Sequence, residues 1–363
     1  MLAISIPLVL RMATKRIDKR SISLFAILSC MLFLSIFRDD DGINTFILWV
    51  AVLVGFLIAS SIHFKEFAST FCNVVCFLAA FSLPCYLLSM LAPNIVSAFP
   101  MLGYMSESTA QVHDMFFSVA IINCQTFRNP GITWEPGAFS ILLSVALLFC
   151  FVFKFNHNKV RVCLLVITLL TTFSTLGYIL LALILSVQLL RKTSDPIMKK
   201  IALALLGIIA LAVIFSFTEA GDVVFGKLEG LFSDTGGDVA ETTQSRIDAI
   251  VYPGLAFLES PIVGVGYDRF YEINVTQCNS VAVNTIVNWF ALGGIAFGAP
   301  CLFFYLRSVF SLGRIMALDQ IPLMLLLLAS IVLLSTESML RISLVYVFII
   351  YGCNATCVGG HRP

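Results

Sequence analysis

Apolar runs recur along this chain from one end to the other, and their length limits what it can fold into. A helix needs about 20 apolar residues to cross the hydrocarbon layer of a bilayer. Residues 21–37, 43–62, 69–91, 136–155, 201–217, 281–306 and 321–335 reach or approach that length, and 342–351 is a shorter run of the same character. Residues 1–10 lack a preceding basic stretch and a following cleavage site, so they read as a partial membrane segment rather than a signal peptide. Residues 162–190 are too long for one straight crossing, and two short helices turning near Phe173-Ser-Thr-Leu-Gly-Tyr178 are expected there. The pattern predicts an all-α polytopic integral membrane protein with about eleven transmembrane segments. It forms one membrane domain over 1–363, with two long loops at 92–135 and 218–280. A soluble domain is excluded by composition: 59% of residues are hydrophobic, 12% are charged, and the mean hydropathy is +0.99.

Alternate loops differ sharply in charge. One set holds only Arg38, Arg128, Lys227, Arg246, Arg269 and Arg341 of the chain's 22 cations. The other set is basic and contains only Asp18, Glu66, Asp195 and Asp319 among the acids. The basic set belongs in the cytoplasm, which puts both long loops on the outer face, the periplasmic side in a bacterium. A net charge of +1 gives no basic surface for nucleic acid. The 11 cysteines have no zinc spacing: Cys72 and Cys76 read as packing, and a Cys124–Cys278 disulfide between the long loops stays open.

The densest chemistry lies in Arg128-Asn-Pro-Gly-Ile-Thr-Trp-Glu-Pro-Gly-Ala-Phe-Ser140. Two prolines and two glycines make a shaped turn, and Pro136 suits the first turn of the helix beyond it. Arg128 and Glu135 at a membrane boundary are suited to a charged headgroup; equally, Trp134 could be an interfacial anchor beside an inert pair. The outer face is poor in cations, so its other arginines are informative. Arg246 precedes a periodic stretch at 247–258, Arg269 comes after a Gly-opened turn beside Asp268, and Arg341 comes four residues after Glu337. An Arg costs about 2.5–3.5 kcal/mol at the centre of a bilayer, so each requires a partner. Its planar fork suits a diphosphate. Local pairing is the competing reading: Arg246 with Asp248, Arg269 with Asp268, and Arg341 with Glu337 on one helical face.

Weaker features surround these. His113-Asp114 has the composition of a base and its orienting carboxylate, but neighbours in sequence seldom face each other. Asn279, Asn284 and Asn288 fit either a polar cavity or contacts between helices. No P-loop, GxGxxG, HExxH or Asp-x-Asp motif is present, so no metal or other cofactor is expected.

Taken together, these stretches resemble one family. Arg128-Asn-Pro-Gly-Ile-Thr-Trp-Glu-Pro-Gly-Ala-Phe139 is similar to the R-x-x-G-x-x-x-E-P-G signature of bacterial O-antigen and capsule polysaccharide polymerases. Thr172-Phe-Ser-Thr-Leu-Gly-Tyr178 resembles their S-T-x-G-Y hairpin. Ser245-Arg246, Ser260-Pro-Ile-Val-Gly-Val-Gly266, Asn279 and the Gly293-Gly294 helix resemble the later loop and span of that family, and the Glu337 helix extends the likeness. The resemblance implies a GT-C-like architecture in the inner membrane and a metal-independent, inverting glycosyltransferase of lipopolysaccharide or capsule biosynthesis. Its substrate would be an undecaprenyl-diphosphate-linked oligosaccharide in the lipid bilayer, with a chain-length regulator as a partner left open. Arg128 and Arg246 would hold the diphosphate and Glu135 would be the base; Trp134, Asp268, Arg269, Asn279, Glu337 and Arg341 would line the substrate site. Cys278-Asn279 stands where the related O-antigen ligases carry His-Asn, which favours polymerase over ligase. A flippase for the same lipid-linked sugar is the reading from another class, but the chain shows no internal repeat.

Overall fold

The computed structural model describes residues 18–36, 42–104, 111–122, 128–133, 135–192, 239–277 and 284–354. In chain order these form α1 (Lys19–Ile36), α2 (Ile43–Ser61), α3 (Phe64–Leu91), α4 (Pro93–Val96), β1 (Met101–Tyr104), β2 (Gln111–Asp114) and β3 (Val119–Ile122). They continue with α5 (Pro136–Phe153), α6 (Asn158–Thr171), α7 (Thr175–Lys192), α8 (Val239–Glu259) and α9 (Tyr267–Gln277). The last are α10 (Thr285–Ile315), α11 (Gln320–Thr336) and α12 (Ser343–Cys353). The chain divides into two compact units, one combining Met1–Phe67 with Glu241–Pro363 and the other formed by Ala68–Ala240.

The first unit is built around α12, whose residues from Val345 to Cys353 are all buried. Helices α10 and α2 pack against it. Gly55 lets α2 approach closely, since a Cβ there would lie 2.6 Å from the Cβ of Tyr346. Tyr346 Oη donates to Leu340 O at 2.9 Å and Tyr351 Oη to Ile62 O at 2.8 Å, so these two phenols have backbone partners.

In the second unit α6 and α7 pack on α5, and 78% of the apolar window of α5 is buried, against 28% for α3. The residues after α4 form an antiparallel sheet of order β1-β2-β3. Its core joins Cys85 of α3, Val96 of α4, Met115, Ala120 and Ile122, with Phe81, Leu88 and Phe99 against them.

The expected all-α, GT-C-like arrangement of about eleven crossings is therefore corrected. The chain contains a three-stranded sheet within the 92–135 loop. Among the described residues four helices, α2, α3, α5 and α10, are long and apolar enough to span a membrane, consistent with a multi-span membrane protein. The remaining apolar runs fold differently. The expected hairpin in 162–190 is there, as a 14-residue α6 and an 18-residue α7. α11 has 17 residues. α12 has 11, about 17 Å at 1.5 Å per residue. A helix apolar on all sides is also what a protein interior requires, and α12 is buried in protein. The segments expected at 1–10 and 201–217 lie outside the described residues.

Candidate functional site

The stretch that opens α5 is held by its second residue. Asn129 is 1% exposed, and its amide donates to Thr171 Oγ1 at 2.9 Å and to Ser82 Oγ at 3.2 Å. Its Oδ1 accepts from Gly131 N at 3.0 Å, and its own N–H donates to Thr171 O at 3.0 Å. One buried amide thus ties the loop to α3 and to the end of α6. Arg128 Nε donates to Thr172 O at 3.4 Å, in the same turn. Ser140 Oγ of α5 lies 3.5 Å from Ser174 Oγ, and a Cβ on Gly177 of α7 would come 2.9 Å from the Ser140 Cβ. The two separate stretches that resemble the polymerase signature and its hairpin are packed into one piece of structure.

Among the described residues the charged groups of this loop have few partners. Arg128 is half-buried, and among the described residues it has no ion pair and no hydrogen bond from its two terminal nitrogens. Glu135 is exposed and stands at the N-cap of α5 in extended conformation (φ −145°, ψ 140°), without using its carboxylate as a cap. Thr133 Oγ1 lies 2.7 Å from both Pro130 O and Glu135 O and fixes the bend between them.

A second pair of motif stretches meets in the other unit. Gly294 breaks α10 at φ +62°, ψ −163°, freeing backbone groups that the 260–266 loop takes up. Val265 N donates to Ala291 O at 2.9 Å and Gly266 N to Leu292 O at 3.2 Å. In return Ile295 N donates to Pro261 O at 2.8 Å and Ala296 N to Ile262 O at 3.1 Å. A Cβ on Gly264 (φ +69°) would strike the Leu292 carbonyl, and one on Gly294 the Ile262 carbonyl. Both positions require glycine for space as well as for backbone angle.

Among the described residues one of the outer arginines is locally paired, and with partners other than the expected Asp268. Arg269 Nη1 donates to Glu272 Oε2 at 2.8 Å, and its Nε lies 3.8 Å from Glu259 Oε2, so Glu272 foremost holds the guanidinium pKa up. Arg341 does not share a helical face with Glu337. Helix α11 ends at Thr336, where Glu337 turns extended, and Thr285 Oγ1 donates to Glu337 O at 2.7 Å. Arg341 instead donates through Nη2 to Asn44 Oδ1 at 2.7 Å and to the Tyr267 hydroxyl, with its guanidinium 5.1 Å from the centroid of that ring. Burial pushes the Tyr267 phenol pKa up, and the Arg341 charge offsets part of that rise. Arg341 is exposed and has no ion pair among the described residues.

Neither motif nor spacing points to Asn129, Asn44 or Tyr267. Arg246 lies on α8, but its side chain, like Trp134, Asn279, Cys124 and Cys278, is outside the described residues. Asp268 is partly buried in the first turn of α9. His113 and Asp114 do not form a dyad. They alternate across β2: His113 Nδ1 lies 2.9 Å from Phe99 O, and Asp114 Oδ1 accepts from Phe116 N at 3.0 Å. Among the described residues no cluster of metal-ligating side chains occurs. Cys72 packs with its sulfur 4.0 Å from that of Cys150.

No family model, curated protein or solved structure matches the chain. Its function is therefore read from the two clamped motif pairs.

Proposed function

We propose that this chain is a bacterial polysaccharide polymerase that extends undecaprenyl-diphosphate-linked repeat units, in the cytoplasmic membrane with its reacting groups on the periplasmic side. The observation that carries the reading is the Arg128 loop. Two stretches resembling the polymerase signature and its hairpin are fastened together by Asn129 and by the Ser140–Gly177 contact, and what the loop presents is a guanidinium without an ion pair among the described residues. Structure maintained by a buried amide, at a position where the side chain offered is a charged one, suits a binding site better than an interfacial anchor.

The groups present define the chemistry. The bond between the anomeric carbon of the growing chain and its diphosphate oxygen breaks, and the electron pair leaves with undecaprenyl diphosphate. A hydroxyl of the incoming lipid-linked unit forms the new glycosidic bond and gives its proton to Glu135. Arg128 meets the charge that grows on the departing diphosphate, an interaction stronger in the transition state than before it.

The test is the surface-glycan ladder of cells in which Arg128→Ala replaces the native chain. The proposal expects collapse to core plus a single repeat unit, at unchanged protein abundance. Native-length ladders would contradict it. Loss of all attached glycan while long lipid-linked chains accumulate would make the protein a ligase instead.

A further inference from the structure

The turn between β2 and β3 carries two adjacent phenylalanines that the protein leaves uncovered: Phe116 is 78% exposed and Phe117 48%. The ring of Phe117 packs on Phe77 and Phe81 of α3, at centroid distances of 5.3 and 5.5 Å. Those two residues fix the depth of the turn. Helix α3 has 28 residues and is one of the four candidate spans. About 20 of its residues lie in hydrocarbon when it crosses a bilayer, and Phe77 and Phe81 fall inside any such window, wherever it is placed along the helix. Phe77 is itself 53% exposed, and Val74 and Leu87 are similarly uncovered, as expected of a face turned to lipid.

Backbone at that depth has to satisfy its polar groups within the protein. Here Met115 N donates to Ser118 O at 2.8 Å, Phe116 N to Asp114 Oδ1 at 3.0 Å and Phe117 N to Met115 O at 2.9 Å. Phe116 also has φ +66°, a left-handed position that a turn in water gives to Gly or Asn. A phenylalanine there, at that exposure, needs an apolar surrounding to account for it.

We propose that the 114–118 turn is a wedge inserted among lipid acyl chains beside α3. It anchors the sheet in the bilayer, and through the sheet it sets the height of the Arg128 loop. The link is direct: Ser118 Oγ donates to Gly131 O at 3.2 Å, and Val119 N donates to the same carbonyl. The wedge rests on α3 and the sheet and does not depend on the reaction proposed above.

The experiment uses the full chain with Phe116→Trp, reconstituted in phosphatidylcholine vesicles, and reads the emission it adds over the wild type, which has 3 tryptophans. The wedge predicts that this added emission is quenched several-fold by acyl-chain-brominated lipid and little by iodide. Quenching by iodide without an effect of brominated lipid would put the turn in water and overturn the proposal. Insensitivity to both would mean that protein covers it, which also overturns it. Phe117→Trp, at the ring already packed on α3, provides the same readout should the first variant fail to fold.

Discussion

At the level of single residues, two side chains with different tasks make the candidate site. Arg128 offers charge, and Asn129 holds it in place. Arg128→Lys retains the charge and loses the planar fork, so chain extension should fall nearly as far as with Ala; native-length glycan from the Lys variant would show that a point charge suffices. Asn129→Ala leaves the buried Gly131 N–H without its partner and takes a donor away from the hydroxyls of Thr171 and Ser82. A buried polar group left unpaired costs about 1–3 kcal/mol, which thermal unfolding in detergent should register as a lower midpoint. Arg128 is legible in the sequence because an arginine is rare on the cation-poor face and a motif surrounds it. Asn129 is not, because an asparagine in a Pro-Gly turn reads as local turn chemistry. Its partners Ser82 and Thr171 lie 47 and 42 residues away.

Among elements, the kinked α10 and the loop that fills its kink form the most demanding contact. Gly294→Ala forces a Cβ onto the Ile262 carbonyl at a positive φ, and strain of that kind costs about 1–3 kcal/mol before any clash is added. Gly254→Ala, in α8, meets nothing within 4 Å and should be neutral or stabilising by up to about 1 kcal/mol. Equal thermal shifts for the two variants would contradict the close approach. Helix positions are largely readable, since α2, α5 and α11 begin and end within about two residues of the apolar runs. The strands are not. Each has four residues, too short for a period to register, and only Val119-Ala-Ile-Ile122 has the β-branched character that signals one. Hydropathy also cannot tell a helix in lipid from one inside protein, which is why the α12 run reads as a span.

For the whole molecule, the charge bias makes a claim about sides. Within the first unit, α2 runs from Asn44, bonded to Arg341, to the Ser61 end, where Tyr351 meets Ile62 O. Nineteen helical residues separate these points by about 28 Å, close to a hydrocarbon thickness. Arg269→Cys should then react with a membrane-impermeant maleimide on intact cells, and Lys65→Cys only after permeabilisation. The reverse order would invert the orientation proposed for this unit. The decisive experiment for polymerisation is reconstitution of the purified chain in vesicles with a synthetic undecaprenyl-diphosphate-linked repeat unit as the only substrate. A polymerase yields a ladder of lipid-linked chains, with one undecaprenyl diphosphate released per new linkage and neither product formed by Arg128→Ala. Movement of the substrate across the bilayer with no new glycosidic bond would contradict it.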